Sequence, residues 1–137
     1  MSQLNMKNES SIFMMDNDED NRNLFENALA EIDVGIHLTC VQNAKKARNY
    51  LKNKNNPIPN FIFLNLEIPG VSGRQCLIEI KKMDRLLATP VIVYTTSRNV
   101  LESKDLKKLG AAHFMSKPTT PQEIYYLVSL ILEKNFI

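Results

Sequence analysis

The chain has 137 residues, 44% of them hydrophobic, with 17 Lys and Arg against 15 Asp and Glu and a formal net charge of +2. One domain of this length buries about two-thirds of its unfolded surface, and so even a balance excludes an obligate nucleic-acid binder or a solvating acidic tail. No apolar run nears the ~18 residues that span a bilayer. MSQLNMKNES is no signal peptide, and Cys40 and Cys76 fall in no metal or redox spacing, so a cytoplasmic protein without membrane contact is expected.

Residues 1–10 read as a flexible N-terminal segment, 11–134 as a single domain and 135–137 as a tail. Ile12–Met15 is a first apolar run, followed by the acidic loop Asp16–Asp20 and a helical pattern carrying Leu24, Phe25, Ala28, Leu29 and Ile32. Seven acids against two bases lie in residues 1–31, and 15 bases against eight acids in the remainder. After Gly35, Ile36–Val41 alternates like an edge strand, and Asn43 is placed to cap a helix over Ala44–Asn53. Phe61–Leu64 is a third run, closed by Pro69 and Gly70, and Ser72 precedes a helix with Cys76, Leu77, Ile80 and Met83. Pro90 opens the run Val91–Tyr94. Asn99–Leu109 is helical up to Gly110, Ala112–Met115 is a short fifth run, and Thr120 with Pro121 starts the last helix.

Five strand–helix units in this order predict an α/β fold, a doubly wound (βα)5 flavodoxin-like sandwich on a five-stranded parallel sheet of order 2-1-3-4-5. Ligands of such sheets sit beyond the carboxyl ends of the strands. Those positions hold Asp16-Asn17-Asp18 after strand 1, Asn65 after strand 3, Thr95-Thr96 after strand 4 and Lys117-Pro118 after strand 5.

The motifs IFMMDNDED, FIFLNLEIPGVSG, TPVIVYTTS and HFMSKP, in this order, make the span from Ser11 to about Glu133 resemble a CheY-like receiver domain of bacterial two-component response regulators. The resemblance implies phosphoryl transfer from a histidine kinase to an Asp ending strand 3. It also implies a Mg²⁺ bound with the help of two acids after strand 1, a Thr or Ser after strand 4 that contacts the phosphoryl oxygens, and a Lys after strand 5 that pairs with the acid pocket. Carried over, Asp16 matches the first acid, Thr95 the hydroxyl, Lys117 the lysine (in a Lys-Pro bond typically cis in relatives) and Phe114 the switch aromatic. Asn17 stands where the second acid belongs and Asn65 where the phospho-acceptor belongs.

A carboxylate attacks phosphorus to give an acyl phosphate, whereas an amide has no comparable nucleophile because its nitrogen lone pair is delocalised. Mg²⁺ favours hard anionic oxygens, and Asp16, Asn17 and Asn65 supply one carboxylate among three positions, so no cofactor is expected and Mg²⁺ binds weakly at most. The expectation is a degenerate, non-enzymatic pseudo-receiver acting through protein–protein contacts. Because the chain ends at Ile137, just after the last helix, output is expected to pass through a partner, a histidine kinase or another two-component protein.

The alternatives are a working phospho-receiver, with Asp18 or Glu67 as acceptor or with an engineered exchange at Asn65, and a small flavodoxin-like enzyme. The last lacks a phosphate-cradling GxGxxG after strand 1. Asp18, Glu19 and Asp20 read as first-turn helix acids, with Asp18 as a substitute metal ligand the other possibility. Glu67 reads as a loop acid within reach of the pocket. His37 and His113 read as structural. The lysines of the helices carry no aromatic interleaving, so nucleic acid is not expected as a partner. The last helix is apolar around much of its circumference: with Ile124, Val128 and Ile131 toward the sheet, Tyr125, Tyr126, Leu127 and Leu130 cannot all be buried. Together with Phe114 they mark a partner or homodimer surface on the helix 4–strand 5–helix 5 face.

Overall fold

The computed structural model describes residues 11–32, 35–66, 73–95 and 100–134, with side chains left undescribed at 32, 100–103, 127, 128 and 130–134. Parallel strands β1 (Ser11–Met15), β2 (His37–Val41), β3 (Phe61–Asn65), β4 (Val91–Thr95) and β5 (His113–Ser116) form one sheet of order β2-β1-β3-β4-β5. Helices α1 (Glu19–Ile32), α2 (Ala44–Lys52), α3 (Gly73–Lys81), α4 (Val100–Lys108) and α5 (Pro121–Lys134) connect or follow the strands, with a 3-10 turn at Asp84–Leu86. The predicted flavodoxin-like order is the one observed, with the alternating second strand and the short fifth at the edges.

Pleating sends successive side chains to opposite faces, and that parity sorts the core into two layers. Phe13, Met15, Ile62, Leu64, Val91 and Val93 pack with Ala47, Leu51, Leu77, Ile80 and Leu106, beneath α2, α3 and α4. Ile12, Met14, Phe61, Phe63, Ile92 and Tyr94 pack with Phe25, Ala28, Leu29 and Ile124, beneath α1 and α5. Central strands β3 and β4 are buried along their whole length, which is why they read as unbroken apolar runs.

The caps follow local chemistry. The Asn43 side chain accepts from the Lys46 N–H at the start of α2. At α5 the Thr120 hydroxyl accepts from the Glu123 N–H, and Glu123 Oε1 accepts in return from the Thr120 N–H, both at 3.2 Å, a reciprocal box. Gly110 after α4 has φ +112°, the left-handed region that favours glycine at a helix end. Gly73 matters for a different reason: a Cβ there would sit 2.6 Å from the Leu66 Cα, so only glycine lets α3 start so close to the end of β3. Ser72, expected as the cap of α3, lies outside the described residues, as do the segments 1–10 and 135–137.

Candidate functional site at the carboxyl edge of the sheet

The same parity that builds the core builds the site. Counting outward from Ile12 and Met14, Asp16 is the next β1 position on the α1 side. Counting from Phe61 and Phe63, Asn65 is the next on β3. Tyr94 already faces that side and stacks on Phe25 at a centroid distance of 5.9 Å. Asn21 lies one helical turn before Phe25 on the inward stripe of α1. Four side chains from four elements therefore meet at one buried point.

Its centre is the Asp16 carboxylate, 0% exposed. Oδ1 accepts from Asn65 Nδ2 and from the Asp18 N–H, both at 3.0 Å. Oδ2 accepts from Asn21 Nδ2 and from the Tyr94 hydroxyl, both at 2.5 Å. The Asp16 backbone is fixed as well: its N–H donates to Val41 O at 3.0 Å, and Arg22 Nη1 donates to its carbonyl at 2.7 Å. A buried charge is tolerated when hydrogen bonds replace its lost water; here two amides, a phenol and a backbone N–H do so, with no cation among the described residues in contact with the carboxylate. Burial, then the neighbouring charge of Asp16, then the bond to it push the Tyr94 phenol well above its ordinary range, so Tyr94 stays a protonated donor.

Lys117 reaches a different acid. Its Nζ lies 3.3 Å from Asp18 Oδ2, while Asp18 Oδ1 accepts from the N–H groups of Asp20 and Asn21 at the head of α1. Asp18 thus caps α1 and pairs with β5's lysine at once. The hydrogen bond from Lys117 is the main reason its carboxyl sits below the ordinary value, with burial opposing. Glu19 and Asp20 are exposed first-turn acids of α1.

Of the positions singled out in the sequence, Asp16 and Asn65 come into direct contact, and Thr95 is buried at the end of β4, on the opposite pleat from Tyr94. Asn17 is exposed, because the chain leaves the strand there and turns into the α1 cap. Phe114 is half-buried against the α2–α4 layer. Glu67, Thr96 and the side chain of Leu130 lie outside the described residues. His37 is exposed and His113 half-buried at their strand starts. The Lys117–Pro118 bond is trans, not the cis bond implied by the resemblance. Asn21 and Tyr94 were not anticipated. Their signal was available in part: a phenol inside an otherwise aliphatic buried strand needs a hydrogen-bond partner.

Burial, with a smaller push from nearby carboxylates, raises the Cys40 and Cys76 thiols to about 11, so both are unreactive as thiolates. Tyr125 and Tyr126 are 44% and 66% exposed. Tyr125 lines a groove with α1 residues Asn27, Ala28 and Glu31.

The donor set does not suit Mg²⁺. Among the described residues the pocket offers one carboxylate, both of whose oxygens already accept two hydrogen bonds, and an Asn65 amide whose N–H₂ points at it. No group of three or more His, Cys, Asp or Glu able to hold a metal occurs among those residues.

A doubly wound sheet with a polar group at the carboxyl ends of its inner strands is the architecture of a response regulator receiver. The family model for the response regulator receiver domain matches residues 12–129, and the chain belongs to that family. Among similar proteins, response regulator Rcp1 of Synechocystis sp. is 26% identical over 121 residues, covering 85% of this chain and 82% of Rcp1. The probable methanogenesis regulatory protein FilR2 of Methanothrix harundinacea is 30% identical over 99 residues, 68% of this chain; the match spans 62% of that protein's length. The crystal structure of the phosphorylated cyanobacterial phytochrome response regulator RcpA superposes with a TM-score of 0.82 at 27% identity, covering 92% of this chain and 93% of that one. The Mn²⁺-bound form of Rcp1 gives 0.77 at 25% identity, covering 89% and 91%. Among the described residues, no helix is long and apolar enough to cross a membrane.

Proposed function

We propose that this two-component receiver is a pseudo-receiver, which keeps the fold and signals by protein contact without accepting phosphate. The observation that carries the reading is the contact between Asn65 and Asp16. An amide ends β3, and it serves as a hydrogen-bond donor to the one buried carboxylate of the pocket. Its nitrogen is a poor nucleophile, and the carboxylate it binds is already saturated. The lysine supports the same reading, since it pairs with the helix-capping Asp18 and not with a residue ending β3. RcpA has been crystallised phosphorylated and Rcp1 with Mn²⁺; on this reading the present chain does neither.

With phosphate control gone, the domain acts as a scaffold in the cytoplasm whose surface is read by another signalling protein, a histidine kinase or a further two-component protein. The α4–β5–α5 face, with Phe114 at its base, is the surface assigned to that partner. The test is a titration with beryllofluoride and Mg²⁺ followed by amide NMR. Resonances of Asp16, Asn65, Thr95 and Lys117 are expected to stay in place. Saturable shifts at these four would overturn the reading and, mapped to Asp18 or Glu67, would name the acceptor.

A further inference from the structure

The acidic and basic residues of this chain are segregated in sequence, and the fold turns that into two opposed surfaces. Residues 35–66 contain five basic residues, Lys45, Lys46, Arg48, Lys52 and Lys54, and no acid. In α2, burial of Ala44, Ala47 and Leu51 forces the lysines outward. Arg48 is already engaged by Glu79 of α3 at 3.2 Å, while Lys45, Lys46 and Lys52 stand on the exposed side. On α1, Glu19, Asp20, Glu26 and Glu31 are exposed, and the helix's only base, Arg22, turns inward to the Asp16 carbonyl.

Beside that acidic surface lies a groove of about 310 Å³ between α1 and α5, lined by Asn27, Ala28, Glu31, Pro121, Gln122 and Tyr125. A carboxylate and a half-exposed phenol ring, with no base among the described lining residues, form a receptor for an alkylammonium group: the acid pairs with it, and the ring face attracts it. Within one molecule no such ammonium reaches the groove from α2, because α2 packs on one side of the sheet and α1 and α5 on the other.

We propose that the occupant of the α1–α5 groove is the lysine face of α2 from a second copy of this chain. Contact between two different surfaces is head-to-tail, so it propagates into short open chains and does not close into a dimer. It is electrostatic and therefore falls as salt rises. It is independent of whether Asn65 accepts phosphate.

Sedimentation velocity on the full chain, over a concentration series at low and high salt, tests the proposal. At low salt the mean mass is expected to exceed twice the 15.7 kDa monomer and to return to monomer at high salt. Two variants are expected to abolish growth: Lys45→Gln/Lys46→Gln/Lys52→Gln, which removes the donor face, and Glu31→Gln/Tyr125→Ala, which removes the groove. Mixed in equal amounts, they retain one intact groove and one intact α2 face between them, and are expected to stop at a heterodimer. Lys107→Glu/Lys108→Glu, a charge reversal on exposed α4 residues, is expected to leave the wild-type behaviour in place. A monomer at every concentration, a salt-insensitive closed dimer, loss of assembly in the α4 variant, or no heterodimer in the mixture would each overturn the proposal.

Discussion

Both ends of the sheet bury polar groups, but they use them differently. At the amino edge, side chains bind main chain. Arg85 donates at 2.7 Å to the carbonyls of Leu51, Asn53 and Asn56, and the Thr89 hydroxyl donates to Pro59 O at 3.3 Å. These bonds tie the α2–β3 connection to the segment before β4 and leave nothing over for chemistry. At the carboxyl edge, three of the four donors to Asp16 are side chains from separate elements. Such an arrangement costs folding energy unless every member is satisfied. Its donors are neutral and its single charge accepts four bonds, which offsets the one buried acceptor left over, Asn21 Oδ1. The amino edge holds loops; the carboxyl edge, on the function proposed above, is a reaction centre turned into a packing unit.

The largest way to break that comparison is Asp16→Ala. It leaves the buried donors of Asn21, Asn65 and Tyr94 without their acceptor, and a loss of about 3–5 kcal/mol is expected in urea unfolding. Next is Asn65→Asp, which sets a second carboxylate against Asp16. One acid of the pair is forced to a raised pKa in the folded state. A loss of about 2–3 kcal/mol is therefore expected near neutral pH and should vanish as pH falls below the ordinary carboxylate range, because protonation restores a donor. Mg²⁺ should recover part of that loss in the variant and leave the wild-type melting temperature unchanged. At the amino edge, Arg85→Ala is expected to cost about 2 kcal/mol with no dependence on Mg²⁺.

The smallest effect is at Lys117→Met. Asp18, held low by Lys117, is expected to titrate closer to its ordinary value by carboxyl NMR. A depressed acid stabilises the fold above its unfolded pKa, and that contribution is lost as pH falls through the folded value. The variant should show a shallower acid slope.

The fold was readable because its signals are local or periodic. The two-sided burial of β3 and β4, the Asn43 and Thr120 caps and Gly110 each declare themselves within a few residues. Half of the site was readable through topology: once the strands are ordered, Asp16 and Asn65 must be neighbours. Asn21 and Tyr94 escaped because their role depends on which pleat and which helical stripe face each other across separations of 5 and 78 residues from Asp16. Lys117 had Asp16 and Asp18 within plausible reach, and spacing does not choose between them. The choice is made by burial: Asp16 is enclosed among neutral donors, and Asp18 remains at the rim. Asn17 was placed in the pocket by counting along the motif, yet strand alternation ends where the helix cap begins.

The central claim is that the amide at position 65 has replaced phosphate chemistry with a closed hydrogen-bond cluster. Intact-mass spectrometry after incubation with acetyl phosphate and Mg²⁺ tests it most directly. The account predicts an unchanged mass for this chain. An acid-labile adduct of about 80 Da, the mass added by one phosphoryl group, would contradict it.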